Sequence, residues 1–147
     1  MFAGSYSLAI DDKGRIAIPA RFRQQLADGP GLQLMITKGA DPSLELYPLP
    51  VFTEKAAAIQ QMTDYRQKRL LSLAWVGRAV ETEIDKQGRI SLPQILRNEA
   101  GLNGSAVLVG QIDRFELWPE ERWNAMWREG PDSQLPALSD ALQALNR

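Results

Sequence analysis

Apolar and polar residues alternate in short bursts, and proline and glycine separate the bursts. Tyr6, Leu8 and Ile10 alternate with Ser7 and Ala9, the period of two that marks a half-buried strand. Asp11-Asp12-Lys13-Gly14 breaks the alternation, and Ile16 and Ile18 resume it. Aspartate accepts bonds from its own following backbone and glycine takes a positive φ without steric cost, so this stretch predicts a hairpin with Lys13 at its tip. Pro19 ends the second strand, and Ala20–Ala27 predicts a short helix with Phe22 and Leu26 on its inner face. Leu32, Leu34 and Ile36 then alternate, Gly39 to Ser43 turns the chain, and Leu44, Leu46 and Tyr47 return until Pro48 and Pro50. Two hairpins around one short helix is the expected first half.

Thr53 and Glu54 open a predicted helix that runs to about Met62, and Asp64 caps a second that runs to about Ala74. The series then repeats: a strand at 79–84, a turn at 85–88, a strand at 89–92, Pro93, and a short helix to Ala100 with Gly101 as its stop. Strands at 106–109 and 115–118 follow, then a helix at 120–128 carrying Trp123 and Trp127. An amphipathic piece at 139–145 closes the chain, and 130–136 is read as flexible. The tryptophans Trp75, Trp118, Trp123 and Trp127 fall at apolar positions and are expected in the core.

The repeat is explicit at the residue level. Asp11, Gly14, Arg15, Ile16, Pro19 and Arg23 recur 74 residues later as Asp85, Gly88, Arg89, Ile90, Pro93 and Arg97, and Glu45-Leu-Tyr-Pro48 reappears as Glu116-Leu-Trp-Pro119. Within 147 residues this implies halves of about 70 residues. Each would have a marginal core alone, so the halves should share a core, exchange strands or rely on oligomerisation. The expected division is a first repeat at 1–52, connecting helices at 53–77, a second repeat at 78–128 and a tail at 129–147.

Composition removes whole classes of chemistry. Without cysteine or histidine the chain lacks the usual zinc ligands, the commonest general base and the Ser-His and Cys-His nucleophile arrangements. No enzyme activity, cofactor or metal is expected. No apolar run reaches the roughly 20 residues that span a bilayer, which makes no membrane and a cytoplasmic location the default. The net charge of −1 hides an asymmetry: residues 1–74 hold nine Lys and Arg against seven Asp and Glu, and residues 75–147 hold eight against eleven. An anionic partner would meet the first half.

In each repeat an acid precedes an arginine by four residues across a turn containing Gly14 or Gly88. One reading is structural, with Asp11 pairing Arg15 and Asp85 pairing Arg89 to fix the hairpin. The other assigns Lys13, Arg15, Arg21 and Arg23 to a positive face that contacts phosphates or guanine edges, since a two-stranded ribbon fits a major groove. Around the second copy Lys86, Arg89 and Arg97 are offset by Glu81, Glu83, Asp85 and Glu99, so its contact should be weaker. Gly14 and Gly88 are turn glycines, because neither lies in a glycine-rich loop entering a Lys-Ser or Lys-Thr helix start.

The opening Met-Phe-x-Gly-x-Tyr, the run from Asp11 to Arg23, the second Ile-Asp-x-x-Gly-Arg-Ile-x-Leu-Pro and the paired Glu-Leu-aromatic-Pro segments together resemble the bacterial MraZ family of transcriptional regulators. The likeness runs from Met1 to about Trp127. It implies an α+β, mainly β fold: a pseudo-symmetric swapped-hairpin (AbrB-like) β-barrel from two tandem repeats, with short flanking helices. It also implies homo-oligomeric rings bound to double-stranded DNA at promoter direct repeats of the division and cell wall gene cluster, the regulator's own gene included. That is nucleoid-associated work, and repression is one mode. The family's Asp-x-x-x-Arg signature falls on Asp11 and Arg15 and again on Asp85 and Arg89, with Asp11 orienting Arg15. A protein-binding, antitoxin-like module is the rival reading.

Overall fold

The computed structural model describes residues 1–147. Eight strands run β1 (Phe2–Ala9), β2 (Arg15–Ala17), β3 (Gln33–Thr37), β4 (Leu44–Pro48), β5 (Val80–Glu83), β6 (Arg89–Ser91), β7 (Ser105–Ile112) and β8 (Arg114–Pro119). Six α-helices intervene: α1 (Ala20–Ala27), α2 (Leu49–Gln60), α3 (Tyr65–Leu70), α4 (Gln94–Ala100), α5 (Glu120–Met126) and α6 (Leu135–Leu145), with a π-helical segment at Leu71–Val76. Helices α1, α2, α4 and α5 each follow a proline, namely Pro19, Pro48, Pro93 and Pro119, whose φ near −55° with extended ψ ends a strand and enters the helix without a side-chain cap.

The second predicted hairpin of each half forms, β3 with β4 and β7 with β8, but the strands flanking each Asp-x-x-Gly turn part company. The turn at Asp11 to Gly14 forms, but β1 leaves it to pair with β7, and β2 pairs with β6 around Ile16 opposite Ile90. Likewise β5 pairs with β3 of the first half. All pairings are antiparallel, in a six-stranded sheet ordered β1-β7-β8-β4-β3-β5 and a two-stranded ribbon β2-β6. Each half lends strands to the other because its own apolar strand faces are too small to bury alone. One cluster of 19 buried residues results, with Ile16, Phe22, Leu34 and Leu46 of the first half packed with Ile90, Leu96, Leu108 and Phe115 of the second.

Several expectations change. The fold is α+β but not mainly β, since 39% of residues are helical and 29% are in strands. The hydrogen-bonded sheets do not close into a barrel, because β1 and β5 remain edges. Helix α2 starts four residues before Thr53, since Pro48 and Pro50 admit the first turn where backbone donors lack partners anyway. The second connecting helix has the expected cap, Asp64 accepting the Gln67 N–H at 3.0 Å, but widens into the π-helical segment after Leu70. There the Trp75 carbonyl accepts the Thr37 hydroxyl at 2.7 Å and the Trp75 indole N–H donates to Glu45 at 2.7 Å, which ties the segment to the sheet. Strand β7 runs on to Ile112, and α6 begins at Leu135, inside the stretch read as flexible. Trp118 is buried as expected, but Trp127 is 40% exposed because α5 lies at the periphery of the sheet. No helix is long and apolar enough to cross a membrane.

Candidate nucleic-acid interface

Both turns are built the same way. The Asp11 N–H donates to the Arg15 carbonyl at 3.0 Å and the Gly14 N–H to the Asp11 carbonyl at 2.9 Å; Asp85, Gly88 and Arg89 repeat this at 2.9 Å each. Gly14 and Gly88 have φ of 77° and 78°, the left-handed position of a three-residue loop. One carboxylate oxygen of Asp11 accepts the Lys13 N–H at 3.0 Å and the Arg15 N–H at 2.8 Å. Asp85 accepts those of Gln87 and Arg89, both at 2.9 Å.

These bonds hold both carboxyls below the usual aspartate value of 3.8, the Arg15 N–H doing most at Asp11 and the Arg89 N–H at Asp85. Because the folded value is depressed, the contribution to the turns is complete above pH 3.8 and is lost as pH falls through the lower folded value. Carboxyl-carbon NMR titration is expected to give midpoints for Asp11 and Asp85 below 3.8, with the Lys13, Arg15, Gln87 and Arg89 amide signals moving at the same pH.

The ribbon decides where the arginines go. Arg15 lies opposite Ser91 and Arg89 opposite Ala17, so all four occupy one face, while Ile16 and Ile90 between them point into the core with 1% and 2% exposure. Arg15 and Arg89 are diagonal neighbours on that face, with backbones about 7–8 Å apart. Their settings differ. The Arg15 Nε donates to Asp11 at 2.8 Å, whereas the Arg89 Nε stands 3.9 Å from Asp85, is buried without a hydrogen-bond partner, and its Nη2 donates to Gln87 at 3.0 Å. Asp85 also feels the positive charge of Arg15 across the ribbon.

The chain matches the protein family described as "MraZ protein, putative antitoxin-like" over residues 1–72 and 76–143. It belongs to the MraZ family. Proteins named Transcriptional regulator MraZ are similar to it over most of its length. The one from Herpetosiphon aurantiacus is 41% identical over 98% of both chains. Those from Pseudomonas aeruginosa PAO1 and Methylococcus capsulatus are 41% and 38% identical, over 86% and 95% of this chain and 85% and 93% of theirs. These MraZ relatives are named as transcriptional regulators.

Set against the expected site, the ribbon brings Arg15 and Arg89 together, with Lys13 and Lys86 exposed at the two turns. Arg21 is exposed on α1 and its side chain makes no hydrogen bond or ion pair, next to the fully buried Phe22. Arg23 is half-buried, with Nε donating to the Ile18 carbonyl at 2.9 Å. Its counterpart Arg97, weighed in the sequence only as a cation offset by nearby acids, has the equivalent bond to Leu92 at 3.2 Å and a second to Gln94 at 2.6 Å. The signal for both was their place in the repeat.

Proposed function

We propose that this MraZ-family chain is a sequence-specific DNA-binding regulator of transcription, in which the Arg15–Arg89 face of the β2–β6 ribbon meets the major groove. The shared face of the two hairpins carries the reading, supported by the relatives' name. A ribbon of two strands has the width of a major groove, and an arginine fork matches the O6 and N7 acceptors of guanine. Arg15 and Arg89 read or clamp base edges, Lys13, Lys86 and Arg21 hold phosphates, Asp11 and Asp85 orient the arginines, and Gly14 and Gly88 close the turns. Both hairpins act together, because the two repeats at 1–52 and 78–128 form one interleaved AbrB-like unit, with 53–77 and 129–147 packed outside it.

One ribbon with four free or half-free cations against Asp11, Asp12 and Asp85 is a weak ligand for DNA. Useful affinity comes from a homo-oligomeric ring whose subunits engage promoter direct repeats in parallel, where linkage multiplies binding by about 100- to 10,000-fold. Leu70, Leu73, Leu142 and Leu145, between 47% and 77% exposed on the outer helices, supply apolar surface for such contacts. The target is the promoter of the division and cell wall cluster that includes the regulator's own gene, where bound rings repress in the nucleoid.

The test is a gel-shift titration of the full chain on its own upstream DNA, with mass measurement in solution. Retardation of repeat-bearing DNA is expected, with affinity falling at least 100-fold when the array is cut to one repeat. Equal retardation of scrambled DNA would overturn the reading.

A further inference from the structure

The glycine of each turn is covered by an arginine from the other repeat. A Cβ on Gly14 would lie 2.7 Å from the Cζ and Nη2 of Arg97, and a Cβ on Gly88 would lie 2.9 Å from the Cδ, Cζ and Nε of Arg23. Each guanidinium therefore lies flat against the turn where a side chain would otherwise stand. Glycine is favoured here for its positive φ, and its missing side chain leaves the space the arginine fills.

Each arginine is held by the same residue, just past β6 or β2, that binds the glycine carbonyl. The Gly14 carbonyl accepts the Leu92 N–H at 2.8 Å, the Leu92 carbonyl accepts the Arg97 Nε at 3.2 Å, and Arg97 covers Gly14. In the mirror arrangement the Gly88 carbonyl accepts the Ile18 N–H at 2.8 Å, the Ile18 carbonyl accepts the Arg23 Nε at 2.9 Å, and Arg23 covers Gly88. Ile18 and Leu92 are each only 3% exposed, so both anchors sit in the core.

We infer that Arg97 and Arg23 are positioning residues, each clamping the DNA-facing turn of the opposite repeat. The acidic half of the chain thus aims Lys13 and Arg15 through Arg97, and the basic half aims Lys86 and Arg89 through Arg23. An exposed three-residue turn left to itself samples many orientations, and freezing it on DNA costs affinity; a turn held in advance avoids that cost. Arg23 serves better as this plate than as a phosphate ligand, because its Nε already bonds Ile18 and one side of its plane is occupied by Gly88.

The inference rests on the proposed DNA contact for its purpose but not for its geometry, and two measurements on the full chain separate them. Without DNA, Arg97→Ala is expected to speed amide hydrogen exchange at Gly14 and Arg15 at least fivefold while Gly88 and Arg89 are unchanged, and Arg23→Ala to do the reverse. Equal acceleration in both turns, or none in either, would overturn the clamp whether or not the chain binds DNA. With repeat-bearing DNA, Arg97→Ala is expected to lose about tenfold in affinity at an unchanged slope of log K against log salt, and Arg97→Lys to leave that loss in place. A slope reduced by about 0.9 per engaged subunit, or full rescue by lysine, would instead make Arg97 a phosphate contact and refute the inference. Arg97→Gln, which keeps a donor for Leu92 but cannot cover the glycine, is expected to match Arg97→Ala and serves in its place if alanine prevents folding.

Discussion

Phe22→Ala is expected to lower folding stability by about 3–5 kcal/mol. Phe22 has no exposed surface and meets the rings of Phe2 at 6.2 Å, Tyr6 at 5.2 Å and Phe115 at 4.9 Å. Phe2 and Tyr6 stand on β1 and Phe115 on β8, so this ring joins α1 to strands from both halves. Its removal leaves a cavity that rigid sheet backbone cannot fill, and a loss of that size is a large part of the total for a small domain. Urea unfolding followed by tryptophan fluorescence should show a lower midpoint at unchanged slope, with Phe22→Leu costing far less. A loss under 1 kcal/mol would mean that the two halves are not joined through this ring.

Arg15→Ala is expected to remove specific DNA binding while leaving the fold and the assembly unchanged. A well-placed arginine on a base edge is worth about 1–3 kcal/mol, and the loss recurs at every subunit that engages a repeat. Stability should move little. The Asp11–Arg15 pair is partly exposed, where ion pairs contribute about 0–1 kcal/mol, and Asp11 keeps its bonds to the Lys13 and position 15 backbone N–H groups. Arg89→Ala should add to the loss, since Arg89 shares the face with Arg15. Arg15→Lys should restore little, because an ammonium cannot make the two-pronged contact. Unchanged affinity of Arg15→Ala for repeat-bearing DNA, with assembly checked by solution mass, would refute the assignment.

Much of this molecule is legible in the order of its residues. The alternation around Ile16 and Ile90 determined which side chains face inward, and Asp11 with Gly14 and Asp85 with Gly88 determined the turns, because these are local matters of side-chain period, capping and φ. The repeat determined that two equivalent turns exist. Boundaries next to proline were less legible: α2 and α6 both take a proline into the first turn, where it is tolerated, although it reads as a stop.

Pairing across the halves was decided only by the tertiary structure. Local sequence joins β1 to β2 through a perfect turn, yet their ladders belong to β7 and β6, because burying both apolar strand faces requires partners 72 to 110 residues away. That exchange set Arg89 beside Arg15 despite the acidic charge of its half, and laid Arg97 over Gly14 and Arg23 over Gly88. Charge counted along the chain separates the two copies of the hairpin; the shared core puts them on one face.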